Sequence, residues 1–278
     1  MSKAFTDSIV LHNGVQMPQH GFGVYKITDP GEMETAVLTA LEVGYRSFDT
    51  AQMYQNEGML GELLHESQVP RKELFITTKI NNGNQGYDQT LFTFEESLVD
   101  LQLSQLDLLL VHWPSQKHFF DTWRAIERLY EENMIRAIGV SNFQIQHLEA
   151  LNTKANVMPM VNQVELHPYL TQEPLMEYLK NHHIAVEAWS PLGRGRILQD
   201  SVLEEMAQRY GKTTAQIILR WHLQQDIIVI PKSVTPRRIS ENADIYNFEL
   251  SSEDMAAISR LNRDWRTGSD PDQVYPTI

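Results

Sequence analysis

Short apolar runs alternate along the chain with amphipathic stretches of ten or more residues, and the alternation repeats eight times. The strand-like runs fall near 19–24, 46–50, 74–80, 106–112, 136–140, 160–166, 185–189 and 227–231. The helix-like stretches cover 31–43, 56–68, 88–102, 119–133, 144–155, 173–182, 201–224 and 236–246, the seventh long enough for two helices. Strands alternating with helices predict parallel β/α units with helical crossovers. Eight units in 278 residues, with no linker stretch, predict one domain over 1–278. The expected architecture is α/β, a closed (β/α)8 TIM barrel rather than an open sheet.

Two further elements flank the rhythm. Ser8-Ile9-Val10-Leu11-His12 and Val15-Gln16-Met17 surround Asn13-Gly14, a strong two-residue turn signal. This N-terminal β-hairpin is expected to plug the N-terminal mouth of the barrel. After the eighth unit an extra C-terminal helix is predicted near Ser251 to Leu261. Its start, Ser251-Ser252-Glu253-Asp254, supplies capping hydroxyls and first-turn acids.

Composition narrows the partners. A net charge of -13 argues against nucleic acid and anionic membrane. The absence of cysteine removes disulfides, cysteine zinc sites and cysteine nucleophiles, and suits a cytoplasmic enzyme. The N-terminal stretch MSKAFTDSIVLHNG has no apolar core of the kind a signal peptide carries. The run Leu108 to Val111 is too short to span a bilayer.

Against that background four residues stand out: Asp49, Tyr54, Lys79 and His112. Each lies at or just past the end of a strand-like run, and parallel barrels build their chemistry at strand C-termini. Singly, each has an ordinary structural explanation. Asp49 suits a turn, Tyr54 a half-buried aromatic and His112 a satisfied core histidine. Lys79 is harder to dismiss. It ends Leu74-Phe75-Ile76-Thr77-Thr78, and a buried ammonium needs a counter-charge. Asp49, on the neighbouring strand, is the expected partner.

Together the four describe proton donation to oxygen. A free phenol is a weak acid at neutral pH. A cation in contact is expected to lower its pKa. Lys79 supplies that cation, Asp49 balances it, Tyr54 donates, and His112 orients the acceptor. Nothing in the set supplies an electron pair to carbon, so a reductase needs a hydride donor as well.

The loop after the eighth strand is where such a donor's phosphate is sought. Pro231-Lys232-Ser233-Val234-Thr235-Pro236-Arg237-Arg238 holds three cations and no acid, although a solvated basic loop would look the same. Gly21-Phe22-Gly23 lacks the third glycine and the following helix of a dinucleotide fingerprint. Gly193-Arg194-Gly195 reads as a flexible loop, and His182-His183 as a helix C-terminus rather than a metal site.

Over its whole length the chain resembles the aldo-keto reductases, in particular the short-loop microbial branch with the diketogluconate reductases and protozoal prostaglandin F synthases. The matching stretches are Gly44 to Ala51 with Tyr54, Thr77-Thr78-Lys79, Leu110 to Pro114, Ile138 to Phe143 and Val161 to Pro168. They continue with Glu187 to Leu192, Ile230 to Ser233, and Arg238, Glu241 and Asn242. The resemblance implies an NADPH-dependent carbonyl reductase, expected to act as a monomer on small-molecule carbonyls, with Tyr54 as acid. It implies that Ser141, Asn142 and Gln163 hold the nicotinamide carboxamide and that Trp189 stacks on the ring. Ser190 and Leu192 would lie along the pyrophosphate. Lys232, Ser233, Arg238, Glu241 and Asn242 would surround the adenosine end, with Gly23 and Asp49 also beside the cofactor. Tyr25, Tyr54, Asn81, His112 and Trp113 would form the substrate pocket. Asn81 departs from the family, which usually has tryptophan there, so a wider, wetter pocket is expected. An NADPH-holding redox sensor or subunit with little turnover is the competing reading. A metal-dependent hydrolytic barrel lacks clustered ligands.

Overall fold

The computed structural model describes residues 4–115 and 117–274. Two short strands, β1 (Ser8–Val10) and β2 (Gln16–Pro18), pair antiparallel with Ile9 opposite Met17. Eight strands then form one parallel sheet. They are β3 (Phe22–Gly23), β4 (Ser47–Asp49), β5 (Phe75–Ile80), β6 (Leu106–Val111), β7 (Ile135–Ser141), β8 (Val161–Glu165), β9 (Ala185–Trp189) and β10 (Ile228–Val229). They are ordered as in sequence, each beside the next.

The first and last strands meet. His20 bridges Val229 in parallel, Gly21 N–H donates to Val229 O at 2.8 Å, and Gly23 N–H donates to Pro231 O at 3.3 Å. The eight strands thus make a nearly closed barrel. The two glycines permit the approach. A Cβ on Gly21 would stand 3.0 Å from both Ile230 Cγ2 and Ser47 Oγ, and one on Gly23 would stand 3.0 Å from Ile230 O. The stretch that imitates a dinucleotide fingerprint is therefore the barrel seam.

The helices are α1 (Pro30–Val43), α2 (Glu57–Glu66), α3 (Tyr87–Asp100), α4 (Phe119–Glu131), α5 (Ile145–Asn152), α6 (Glu173–Asn181), α7 (Ser201–Tyr210), α8 (Thr214–Leu223), α9 (Pro236–Ala243), α10 (Ser252–Ser259) and α11 (Pro271–Val274). Local chemistry sets their ends. Asp29 caps α1 through Glu32 N–H, Pro30 opens it, and Gly44 closes it in the left-handed region. Thr213 and Gln216 form a reciprocal capping box at the start of α8. The stretch 201–224 does split into two helices, and α10 is the expected extra helix. The short α11 had no counterpart in the sequence reading.

The hairpin lies at the N-terminal end, where Asn13 Nδ2 donates to Arg136 O at 3.0 Å near the start of β7. Strands β5 and β6 are buried at every position. The opposite rim, at the strand C-termini, carries Asp49 at the end of β4, Ser141 at the end of β7 and His112 just past β6.

Candidate active site

Lys79 lies on β5 and Asp49 ends the adjacent β4, whose register sets Asp49 opposite Thr77. Lys79 Nζ contacts Asp49 Oδ1 at 2.7 Å, Asp49 Oδ2 at 2.8 Å and Thr50 O at 2.8 Å. It donates to Tyr54 OH at 3.4 Å. A single 3-10 turn, Gln52–Tyr54, starts three residues after Asp49 and swings Tyr54 back over the rim. His112 follows β6 directly, and its ring stands edge-on to Tyr54 with centroids 5.7 Å apart. The sequence-predicted quartet is thus one cluster.

Burial governs its electrostatics. Burial works against the Lys79 ammonium, but Asp49, Tyr54 and Glu187 outweigh it and hold the pKa above its usual value. Burial dominates Tyr54, raising its phenol to about 12; Lys79 pulls the other way and Asp49 adds to the rise. This corrects the expected net lowering. Lys79 only offsets a larger desolvation penalty, so the phenol stays protonated. Burial, then Lys79, lowers His112 to about 3, leaving a neutral imidazole whose Nδ1 is buried without a partner.

A cavity of about 890 Å³ opens over this cluster, at the large end of the range for small-molecule sites. Asp49, Tyr54 and His112 line it, with Tyr25 and Trp113 beside them. Tyr25 packs against Tyr54 with ring centroids 4.9 Å apart. Ser141, Asn142 and Gln163, at the ends of β7 and β8, line it with Gly23. Asn142 sits in the left-handed region; its Nδ2 donates to His112 O at 3.0 Å and its Oδ1 accepts from Trp189 Nε1 at 2.8 Å. Trp189, Ser190 and Leu192 continue the wall, and Lys232, Ser233, Arg238, Glu241 and Asn242 complete it.

Two expectations change, at Asn81 and at Gly193–Gly195. Asn81 does not line the cavity. Its N–H is taken by Gln52 Oε1 at 2.9 Å as the chain turns into the 3-10 segment Asn82–Asn84. Arg237, which was not expected at the cofactor, pairs with Glu241 2.6 Å away one helical turn on, and the loop brings the two expected cations, Lys232 and Arg238, to the cavity. The segment Gly193–Gly195 is an ordered 3-10 turn, tied by Gly193 N–H to Ser190 O and Gly195 N–H to Leu192 O.

Sequence reasoning missed Met53, Arg194, Leu198 and the Thr213–Ala215 end of α8, all of which line the cavity. The T-x-x-Q capping signal at Thr213 could have placed a helix start there. Met53 and Arg194 reach the rim from turns, for which no periodicity exists. Arg194 lies over Trp189 with its guanidinium 5.9 Å from the ring.

The cavity suits a phosphorylated, amide-bearing cofactor. Among the described residues Lys232 and Arg238 line it without ion-pair partners, and cations so placed match a phosphate. Gln163 spends both amide hydrogens on Asp49 Oδ2 and Glu187 Oε2, which leaves its carbonyl oxygen as the acceptor for a ligand amide.

Comparison with known proteins settles the lineage. The aldo/keto reductase family profile matches residues 20–263. This chain belongs to the aldo/keto reductase family. It is 52% identical over 274 residues to the glyoxal reductase of Bacillus subtilis (strain 168), covering 99% of each chain. It is 49% identical over 271 residues to the 9,11-endoperoxide prostaglandin H2 reductase of Trypanosoma cruzi (strain CL Brener), covering 96% of each. A crystal structure of a Gox0644 mutant in complex with NADPH superposes with a TM-score of 0.92 at 43% identity, covering 96% of this chain and 98% of that one. These relatives lie in the microbial branch that the sequence resembles.

Proposed function

We propose that this aldo/keto reductase reduces aldehydes and ketones to alcohols with NADPH, and that Tyr54 gives the proton. One observation carries the reading: the buried Lys79 ammonium touches both Asp49 and the Tyr54 hydroxyl at the floor of the cavity.

Ser141, Asn142 and Gln163 would hold the carboxamide end of the cofactor, Trp189 would pack on its ring, and Lys232 and Arg238 would hold its phosphate. Bound there, NADPH supplies the hydride. The residues of this chain do the rest. Neutral His112 donates an N–H to the carbonyl oxygen and orients it without competing as an acid. Tyr54, kept protonated by its burial, transfers its proton to that oxygen as charge develops. Lys79 stabilises the phenolate left behind, and Asp49 keeps Lys79 charged and aimed.

Small reactive aldehydes and dicarbonyls are the proposed substrates. The wall beside Tyr54 is formed by Tyr25, Trp113 and half-exposed Met53 instead of a polar Asn81. Two aromatic plates and an open methionine suit a short carbonyl held weakly, and similarity to a glyoxal reductase points the same way. Loss of NADPH absorbance with methylglyoxal, glyceraldehyde and a bulky apolar ketone tests this. The short carbonyls should turn over fastest; strong preference for the bulky ketone would contradict it, and silence toward all three would favour a cofactor-holding subunit.

We also propose that residues 1–278 act as one domain, monomeric and cytoplasmic, with no nucleic-acid partner. The net charge of -13 supports the lack of a nucleic-acid partner, and the absence of cysteine suits the compartment. Among the described residues no helix is long and apolar enough to cross a membrane.

A further inference from the structure

Glu187 sits inside the barrel with no exposed surface, and the chemistry above does not use it. On β9 it stands opposite Gln163 of β8. The Gln163 amide nitrogen gives one hydrogen to Glu187 Oε2 at 2.7 Å and the other to Asp49 Oδ2 at 2.8 Å. One amide therefore ties two carboxyl groups together, beside a single ammonium on Lys79. Glu187 Oε1 is buried with no hydrogen-bond partner among the described residues. An ionised carboxylate with an orphaned oxygen is costly to bury, and the neutral acid far less so. From β10, the strand on the other side, the residue in register is Ile228, which is apolar and buried. The charged groups that face Glu187 are Asp49 from β4 and Lys79 from β5. Burial first and then Asp49 push its carboxyl up to about 8, while the Gln163 bond and Lys79 pull it back.

We propose that Glu187 is a positioning residue of the reductase, held as the neutral acid beside the Asp49–Lys79 pair through Gln163, and that loss of its proton to solvent switches reduction off on the alkaline side. The proposal rests on the reading of Tyr54 as proton donor. While Glu187 is neutral, Asp49 and Lys79 cancel. Once ionised, it adds an unbalanced negative charge inside the barrel. That charge opposes the phenolate that Tyr54 must become as it gives up its proton. Reduction then falls with rising pH although neither Tyr54 nor Lys79 has itself lost a proton.

The test pairs two measurements on wild type and Glu187→Gln, a variant that keeps the size and the acceptor for Gln163. The first is the pH profile of kcat and KM for methylglyoxal reduction. The second is an infrared pH titration of the carboxylic-acid C=O stretch in the cofactor-free protein. The alkaline limb of kcat should move up by about one unit or more in Glu187→Gln, with KM little changed. The acid band should fade in wild type as pH rises through about 8 and be missing from the variant. Burial also pushes the Glu57 carboxyl upward, so the band assigned to Glu187 is the one that Glu187→Gln removes. An unchanged alkaline limb, or no band lost on substitution, would overturn the proposal. If the variant does not fold, wild type decides: band and rate must fall at the same pH, and a mismatch overturns it. A wild type inactive toward every carbonyl would defeat the reductase reading and the switch, while the band would still report whether Glu187 holds a proton.

Discussion

Lys79 is fully buried as a cation because Asp49 takes its charge and Thr50 O takes a further hydrogen. Lys79→Met should abolish reduction and leave Asp49 buried without its counter-charge. Breaking one side of a buried pair costs about 3–5 kcal/mol, which urea unfolding would measure; a loss well under that would mean that the pair is not integral to the fold. His112 gives a second prediction. With its pKa lowered from 6.5 to about 3, it stays neutral across the working range, so the pH profile of reduction should show no acid limb near 6.5. Such a limb, removed in His112→Gln, would show that the imidazole works in its charged form. The Asp49–Lys79 pairing was legible in the sequence because a lysine closing an apolar strand demands an anion. The direction of the Tyr54 shift was not, since depth of burial outweighs the neighbouring cation and no spacing reveals depth. Asn81 misled for a related reason: its backbone N–H, bound by Gln52, turns the chain away from the cavity.

At the scale of elements, the seam between β3 and β10 is held by close approach rather than by long strands. Gly21→Val would press on Ile230 and Ser47 and should lower stability by about 1–3 kcal/mol, read as a fall in the thermal midpoint. An unchanged midpoint would show that the seam yields freely. The loop into α9 makes a sharper prediction. Arg238 lines the cavity with no ion-pair partner among the described residues, whereas Arg237 is exposed and bound to Glu241. Arg238→Ala should raise KM for NADPH far more than for NADH, while Arg237→Ala should leave the ratio nearly unchanged. Equal effects on both cofactors would mean that the loop does not read the phosphate. Composition revealed the basic loop, but it could not tell which arginine faces inward. That depends on the phase of α9, with Arg237 and Glu241 one turn apart on its outer side. The apolar runs at 19–24 and 227–231 showed where the first and last strands meet, since bonds from Val229 N–H to Gln19 O and from Gly23 N–H to Pro231 O carry the seam; that the regular ladder shrinks to two residues on each was not legible.

For the whole molecule, the alternation of strand and helix was enough to give a parallel barrel, and a parallel barrel puts its strand C-termini on one rim. That is why the quartet could be collected from the ends of three consecutive strands in the sequence alone. The mouth was not legible, since Met53, Arg194 and the start of α8 arrive on turns and a cap. The central claim is that this rim reduces a carbonyl with Tyr54 as the acid. Tyr54→Phe removes one hydroxyl and keeps the ring against Tyr25 and His112. Positioned acid catalysis is worth roughly 10²–10⁴-fold, so the initial rate of NADPH oxidation with methylglyoxal should fall by about that factor. Binding of NADPH, followed by its fluorescence, should persist. A Tyr54→Phe enzyme that binds NADPH and reduces methylglyoxal at close to the wild-type rate would contradict the mechanism.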